Sequence, residues 1–217
     1  DQVKTILVQK YFGIGSIVNL IPAIEALRQH YPDARIVFAV FYEQLSVVKV
    51  ADLADDYIVI KHDKLSNFLQ SFFIGLIRIW RMKIDICIDF EFFAKYSMVV
   101  SCLSLARVRV GYHAFFLLRS HFLTHGVPFN HYKHISRAFL AMPEILGVHI
   151  DEDRKFELRL PSQIGYRRNQ IVDKFGTENL SNVILVNVNA SGICKERTWP
   201  DHKFAERRQR PERGMTR

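Results

Sequence analysis

Hydrophobic residues along the chain follow two spacings. Short, nearly continuous apolar runs occur at Thr5–Gln9 (TILVQ), Arg35–Val40 (RIVFAV), Tyr57–Ile60, Asp85–Phe90 (DICIDF), Arg107–Gly111 and Asn182–Asn187 (NVILVN). Runs of this length predict strands, and their lack of polar alternation predicts burial on both faces. Between them, apolar residues recur every three or four positions. This predicts helices over Ser16–His30, Glu43–Val50, Lys64–Lys83, Phe93–Leu105, His131–Leu146 and Ser162–Phe175. Pro22 is compatible with the first of these only in a first turn or at a kink. Phe156–Leu160 alternates like a short strand. Lys64–Lys83 has the strongest pattern, with Leu65, Phe68, Leu69, Phe72, Phe73, Leu76, Ile77 and Trp80 in one stripe. The stripe reads first as a core-facing helix. Lys64, Arg78, Arg81 and Lys83 around it supply the second reading, contact with a membrane surface.

Strands alternating with helices predict an α/β protein: a Rossmann-like parallel sheet with helices on both faces. The LRLPS stretch, Leu158–Ser162, is the best boundary. It separates a domain over 1–160 from an incomplete second Rossmann-like unit over 161–217.

Composition narrows the class without changing it. Of 217 residues, 49% are hydrophobic and 24% charged. That balance is globular and argues against disorder, collagen and disulfide scaffolds. The three cysteines cannot form a framework, and Cys87 and Cys102 lie in apolar runs, so buried reduced thiols are expected. The net charge is +8, and half of it comes from Arg207–Arg217, with five Arg and one Glu. No stretch has the roughly 20 apolar residues that a membrane span needs. No basic segment followed by an apolar run opens the chain.

Three features could carry chemistry. The first is Phe12-Gly13-Ile14-Gly15-Ser16, between the first strand and the first helix. Gly13 and Gly15 would let the backbone turn tightly and come close to a ligand, and Ser16 could cap the helix. A purely structural turn is the competing reading. A dinucleotide fingerprint would need glycine where Val18 stands, and an acid where the second strand ends in Ala39-Val40-Phe41-Tyr42. The second feature is Asp89-Phe90-Glu91 at the end of the fourth strand. A period of two puts both carboxylates on one side. Strands one and four of a doubly wound sheet flank its switch point, so the acid pair and the glycine loop should share a crevice. One of two close carboxylates could act as a general base, whereas a solvated loop or helix cap is the plainer alternative. The third is Asn187–Pro200 (NVNASGICKERTWP). Asn189 and Ser191 sit in a small-residue loop whose N–H groups could face an anion, with Lys195 and Arg197 to neutralise phosphate.

Other features are weaker. His131 and His134, and His121 and His125, lack further metal ligands at suitable spacing, so no metal is expected. Ser97, Ser101 and Ser104 lack a Gly-x-Ser-x-Gly elbow. The basic, aromatic run Arg107–Tyr112 lacks the aromatic signature of RNA-binding sheets, so no nucleic-acid partner is expected.

The glycine loop extended to Ile17, followed by Pro22-Ala23-Ile24-Glu25-Ala26-Leu27-Arg28 and Tyr31-Pro32-Asp33-Ala34, resembles glycosyltransferase family 9. That is the heptosyltransferase-like family of lipopolysaccharide assembly. Asn187–Pro200 with Phe204-Ala205-Glu206 resembles the family's Asn-Pro-Gly-Ala-Ser, Lys-Arg-Trp-Pro and Phe-Ala-Glu opening of its second domain. The resemblance runs in order over residues 4–206. It implies the GT-B architecture of two Rossmann-like domains, the first for the acceptor and the second for the nucleotide sugar. It also implies metal-independent transfer with inversion, and no cofactor.

The implied partners are a nucleotide sugar and a lipid-linked saccharide acceptor of lipopolysaccharide or exopolysaccharide. The implied location is cytoplasmic, with peripheral contact at the inner face of the plasma membrane. The family's Leu-Gly-Asp loop carries an Asp that the resemblance makes the base. Ser16 stands in that place here, and a hydroxyl is no base at neutral pH. Glu91 or Asp89 would then take over. Arg197 inherits the phosphate contact of the family's basic pair, and Lys195 is the second candidate. A complete second domain needs roughly 130–150 residues more, so transfer by this chain alone is not expected. Residues 207–217 read as a frameshifted or degraded end, or as a basic tail for an anionic surface. The competing class is a non-catalytic module that binds acceptor or membrane surface.

Overall fold

The computed structural model describes residues 2–92, 94–113, 118–150, 172–174, 200 and 202–203. The chain divides into two compact units, Asp1–Ser162 and Gln163–Arg217. In the first unit the apolar runs become strands β1 (Thr5–Gln9), β2 (Arg35–Phe41), β3 (Asp56–Ile60), β4 (Ile86–Asp89), β5 (Val108–His113) and β6 (His125–Pro128). They form one parallel sheet in the order β3-β2-β1-β4-β5-β6. The register sets Ile6 against Ile36 and Ile86, and Gln9 against Ala39 and Asp89.

The helices are α1 (Ile14–Val18), α2 (Ile21–His30), α3 (Leu45–Val50), α4 (Leu65–Met82), α5 (Lys95–Leu103) and α6 (Ile135–Glu144). Side chains alternate across the sheet as strand geometry requires. Ile6, Val8, Ile36, Phe38, Val40, Ile86, Ile88 and Val110 pack with residues of α1, α2, α3 and α6. Leu7, Val37, Ala39, Phe41, Ile58, Ile60 and Cys87 pack with α4 and α5. Both faces are covered, so the strands read as unbroken apolar runs.

The structure departs from the sequence pattern in several places. Ser16–His30 is two helices, because Pro22 cannot continue the hydrogen-bond ladder and starts α2 instead. The helix expected over His131–Leu146 begins at Ile135, not His131. His134 is its N-cap, and Nδ1 accepts the Ser136 N–H at 3.3 Å. His131 packs instead on Phe129, so the two histidines do not share a helix face. Strand β6 has no apolar signature. It carries Gly126 and Pro128, which a strand tolerates at a sheet edge, where no further ladder is needed. Cys87 is buried, but Cys102 is only half-buried.

Helix α4 is core-facing only in part: Gly75, Leu76 and Ile79 are buried, while Leu65, Phe73 and Trp80 are exposed. A Cβ on Gly75 would come within 2.9 Å of Ile58 Cγ2, so its absence lets α4 lie close on β3.

Phe156–Leu160 and Asn182–Asn187 lie outside the described residues, and Ser162–Phe175 does so except for 172–174, which are helical. Among the described residues, no helix is long and apolar enough to cross a membrane.

Candidate active site

The sheet reverses its winding between β1 and β4, and the chain leaves both strands at their carboxyl ends there. Such a switch point opens a crevice in doubly wound sheets. The polar residues Gln9, Lys10, Asp89 and Glu91 are all buried at this place, at the end of two otherwise apolar strands.

Glu91 organises the loop after β1. Its Oε1 accepts three hydrogen bonds, from Lys10 Nζ at 2.8 Å, the Tyr11 N–H at 2.7 Å and the Phe12 N–H at 2.9 Å. The Lys10–Glu91 ion pair is 7% exposed on each side, so water screens it little. Oε2 accepts no hydrogen bond among the described residues. The acid after β4 and the glycine loop after β1 are thus joined directly.

Asp89 is fully buried. Its Oδ2 accepts the Ser97 hydroxyl at 2.7 Å, and its Oδ1 accepts the Glu91 N–H at 3.0 Å. The first bond ties the start of α5 to β4, and the second sets the turn that aims Glu91. Asp89 and Glu91 were both expected to line the crevice; both side chains are buried, Asp89 completely. The Asp89 side chain stands inside the protein, at the root of the turn.

The glycine loop has different parts. Gly13 is the N-cap of α1 at φ 82°, ψ 107°, in the left-handed half of the map. A Cβ there would also meet Ser16 Oγ at 3.2 Å. Gly13→Ala is therefore expected to cost about 1–3 kcal/mol, read as a lower urea midpoint. An unchanged midpoint would show that the loop relaxes freely. Gly15 has ordinary helical backbone and open space where a Cβ would stand. It needs no glycine for its own conformation, and leaves the loop surface bare. Ser16 is not the cap that its position suggested. It is the third residue of α1, half-buried, and no side chain caps this helix.

Residues that the sequence did not single out complete the site. Tyr11 OH donates to Gln9 Oε1 at 2.9 Å, and Gln9 Nε2 donates to Ser101 Oγ at 2.7 Å and Cys87 Sγ at 3.2 Å. Each polar atom named here has a partner, as burial demands. Burial pushes the Tyr11 hydroxyl well above its ordinary range, with neighbouring Tyr96 adding to the effect. Burial likewise pushes the Cys87 thiol up to about 11. Both groups are neutral hydrogen-bonding elements near pH 7. The signal in the sequence was the pair Gln9-Lys10, polar residues at the end of an otherwise apolar strand.

Phe12 projects above this network, exposed, with its edge on Phe41 at 5.1 Å. Beyond it, at the ends of β2 and β3, Tyr42, Glu43, Lys61, Asp63 and Asn67 line an open groove of about 400 Å³. Asn67 donates to Asp63 at 2.8 Å and holds its carboxyl below the usual range. Among the described residues, no cluster of His, Cys, Asp and Glu could hold a metal ion. Asn189, Ser191, Lys195 and Arg197 lie outside the described residues.

A parallel 3-2-1-4-5-6 sheet, covered on both faces, is a Rossmann-like fold and matches the fold of a GT-B N-terminal domain. The chain is similar to the crystal structure of a glycosyl transferase family 9 protein from Veillonella parvula, at TM-score 0.75 and 19% identity, over 94% of this chain and 58% of that one. It is also similar to Escherichia coli heptosyltransferase WaaC with ADP-2-deoxy-2-fluoro heptose, at TM-score 0.59 and 14% identity, covering 69% of this chain and 50% of that one. E. coli ADP-heptose lps heptosyltransferase II matches at TM-score 0.56 and 13% identity, covering 77% of this chain and 50% of that one. The chain thus spans between half and three-fifths of the length of these proteins. No protein-family model matches the sequence, and no curated protein does.

Proposed function

We propose that this chain is the acceptor half of a GT-B glycosyltransferase that moves a sugar from a nucleotide donor to a lipopolysaccharide or exopolysaccharide acceptor. Residues 1–160 form the acceptor domain, and 161–217 begin the donor domain. The observation that carries the reading is Glu91, which clamps the glycine loop at the switch point while keeping Oε2 without a hydrogen bond among the described residues.

In this reading Glu91 Oε2 takes the proton of the acceptor hydroxyl. The freed oxygen attacks the sugar carbon from the face opposite the leaving diphosphate, which inverts that carbon. Asp89 positions Glu91 through its backbone N–H. Ser16 offers a hydroxyl to the acceptor but does not act as a base. Gly13 and Gly15 keep the loop low enough for the acceptor to reach Glu91. Asn189 and Ser191 would present N–H groups to the diphosphate, with Lys195 and Arg197 as its counter-charges. No metal takes part in this scheme.

The test is amide chemical-shift mapping with a deacylated lipopolysaccharide core oligosaccharide. Shifts centred on Phe12–Ser16 and Glu91 are expected. Shifts confined elsewhere, or none at saturating oligosaccharide, would overturn the assignment of the site.

A further inference from the structure

Among the described residues, nothing packs on the outward side of α4. Leu65 (74%), Leu69, Phe73 (57%), Ile74, Ile77 and Trp80 are all exposed. Leu65, Leu69, Phe73 and Ile77 follow one another at intervals of four, so they lie along one line of the helix. Trp80 extends the line to α5, where its indole N–H donates to Leu103 O at 2.6 Å. Val99 and Leu103 on α5 are exposed as well, and so is Leu105, which follows the helix. Leu105 is 72% exposed and has φ 57°, so a bulky side chain is held in a left-handed backbone without packing to offset it. Large apolar patches of this kind mark docking surfaces.

The charges around the patch identify what docks. Residues 64–84 contain Lys64, Arg78, Arg81 and Lys83 and no acid. Residues 92–110, which hold α5 and the segment after it, contain Lys95, Arg107 and Arg109 and again no acid. Asp56 occupies Arg78 at 3.0 Å. Lys64, Arg81, Lys83 and Lys95 are exposed and form no ion pair among the described residues. A second copy of this chain would bring the same cations together across the contact, and like charges repel there. A surface with apolar depth and negative headgroups complements both features. Trp beside Arg and Lys suits the boundary of such a surface, where an amphipathic ring and phosphate-seeking cations are placed together.

We propose that the α4–α5 face docks this protein on an anionic phospholipid membrane, with Phe73, Ile77 and Trp80 entering the headgroup boundary and Arg81 and Lys83 engaging lipid phosphates. This does not depend on the glycosyl-transfer reading, since none of these residues belongs to the switch-point site.

The experiment uses the full chain with phosphatidylcholine vesicles, with and without phosphatidylglycerol. A Trp199→Phe background leaves Trp80 as the sole tryptophan. Co-sedimentation only with phosphatidylglycerol present, and quenching of Trp80 by brominated lipid, are expected. Arg81→Gln with Lys83→Gln should weaken binding by about 30-fold, at about fivefold per basic residue. Phe73→Gln with Ile77→Gln should abolish the quenching while circular dichroism shows an unchanged fold. Equal binding to neutral vesicles would overturn the proposal. So would unquenched Trp80 in sedimenting protein, which is what attachment through the basic 207–217 tail alone would produce. Unaltered binding by the Phe73/Ile77 variant, or a dimer in sedimentation equilibrium that shields Trp80, would also overturn it.

Discussion

Replacing Glu91 with Ala is expected to destabilise the fold by about 3–5 kcal/mol, the cost of breaking a buried ion pair. Three groups lose their common acceptor at once: Lys10 Nζ and the N–H groups of Tyr11 and Phe12. Lys10 is the costly one, because its ammonium is nearly sealed from water and no other counter-charge is bonded to it among the described residues. The pair Lys10→Met with Glu91→Leu is expected to lose much less than the sum of the two single changes, since no orphaned charge remains. Urea denaturation of the four proteins in the cycle gives the coupling energy. Additive single changes would show that Lys10 finds another partner or reaches water, and the account of the site as a clamped loop would fail. The same cycle guards any activity measurement. A loss of turnover in Glu91→Gln counts toward base catalysis only when the variant retains the wild-type fold at the assay temperature.

Alkaline pH is expected to produce the second large effect. Cys87 is wholly buried, and burial pushes its thiol from 9.0 to about 11. The unfolded chain loses this proton near 9, whereas the folded chain keeps it until about 11. The Cys87 contribution should therefore be flat below pH 9, fall between 9 and 11, and level off above. The fall amounts to on the order of 3 kcal/mol from Cys87 alone. Tyr11, Tyr96 and Tyr112 act in the same direction, because burial raises each of them above 10. Their share begins nearer pH 10 and steepens the loss. Urea midpoints across this range measure it, and Cys87→Ala should make the first part of the decline shallower. A midpoint that stays constant from pH 9 to 11 would mean that these groups reach water in the folded protein.

Sheet, helices and switch point were legible in the sequence because they follow from local rules. TILVQ and RIVFAV could only be strands buried on both faces, and the helices between them left a parallel sheet as the economical arrangement. The glycine loop and the acid pair were legible for the same reason. Each ends a strand, and doubly wound topology brings the ends of the first and fourth strands together. Short or edge elements were not legible. β6 (HGVP) has no apolar period, and only its pairing with β5 makes it a strand. The start of α6 was misread because a capping histidine looks like a helical residue until its ring is seen bonded to Ser136.

For the site, residue type and spacing established that two carboxylates sit at the end of the fourth strand, but not which partners each one meets. Asp89 and Glu91 share a strand face by period two. Their environments differ because Ser97, from α5, lies over Asp89, while Lys10 and two N–H groups from the β1 loop reach Glu91. Those partners are 8 and about 80 residues away in the chain, so local pattern carries no record of them. The same holds for α4. Its apolar stripe is wide, and the sequence by itself cannot tell which part of that stripe meets the sheet. Packing against Ile58 and Ile79's neighbours in the core chose one side, and the other, with Phe73 and Trp80, was left to the surface. Periodicity specifies what each element is, because it is a property of neighbouring residues; burial and partner specify what each side chain does, because they arise only when distant segments meet.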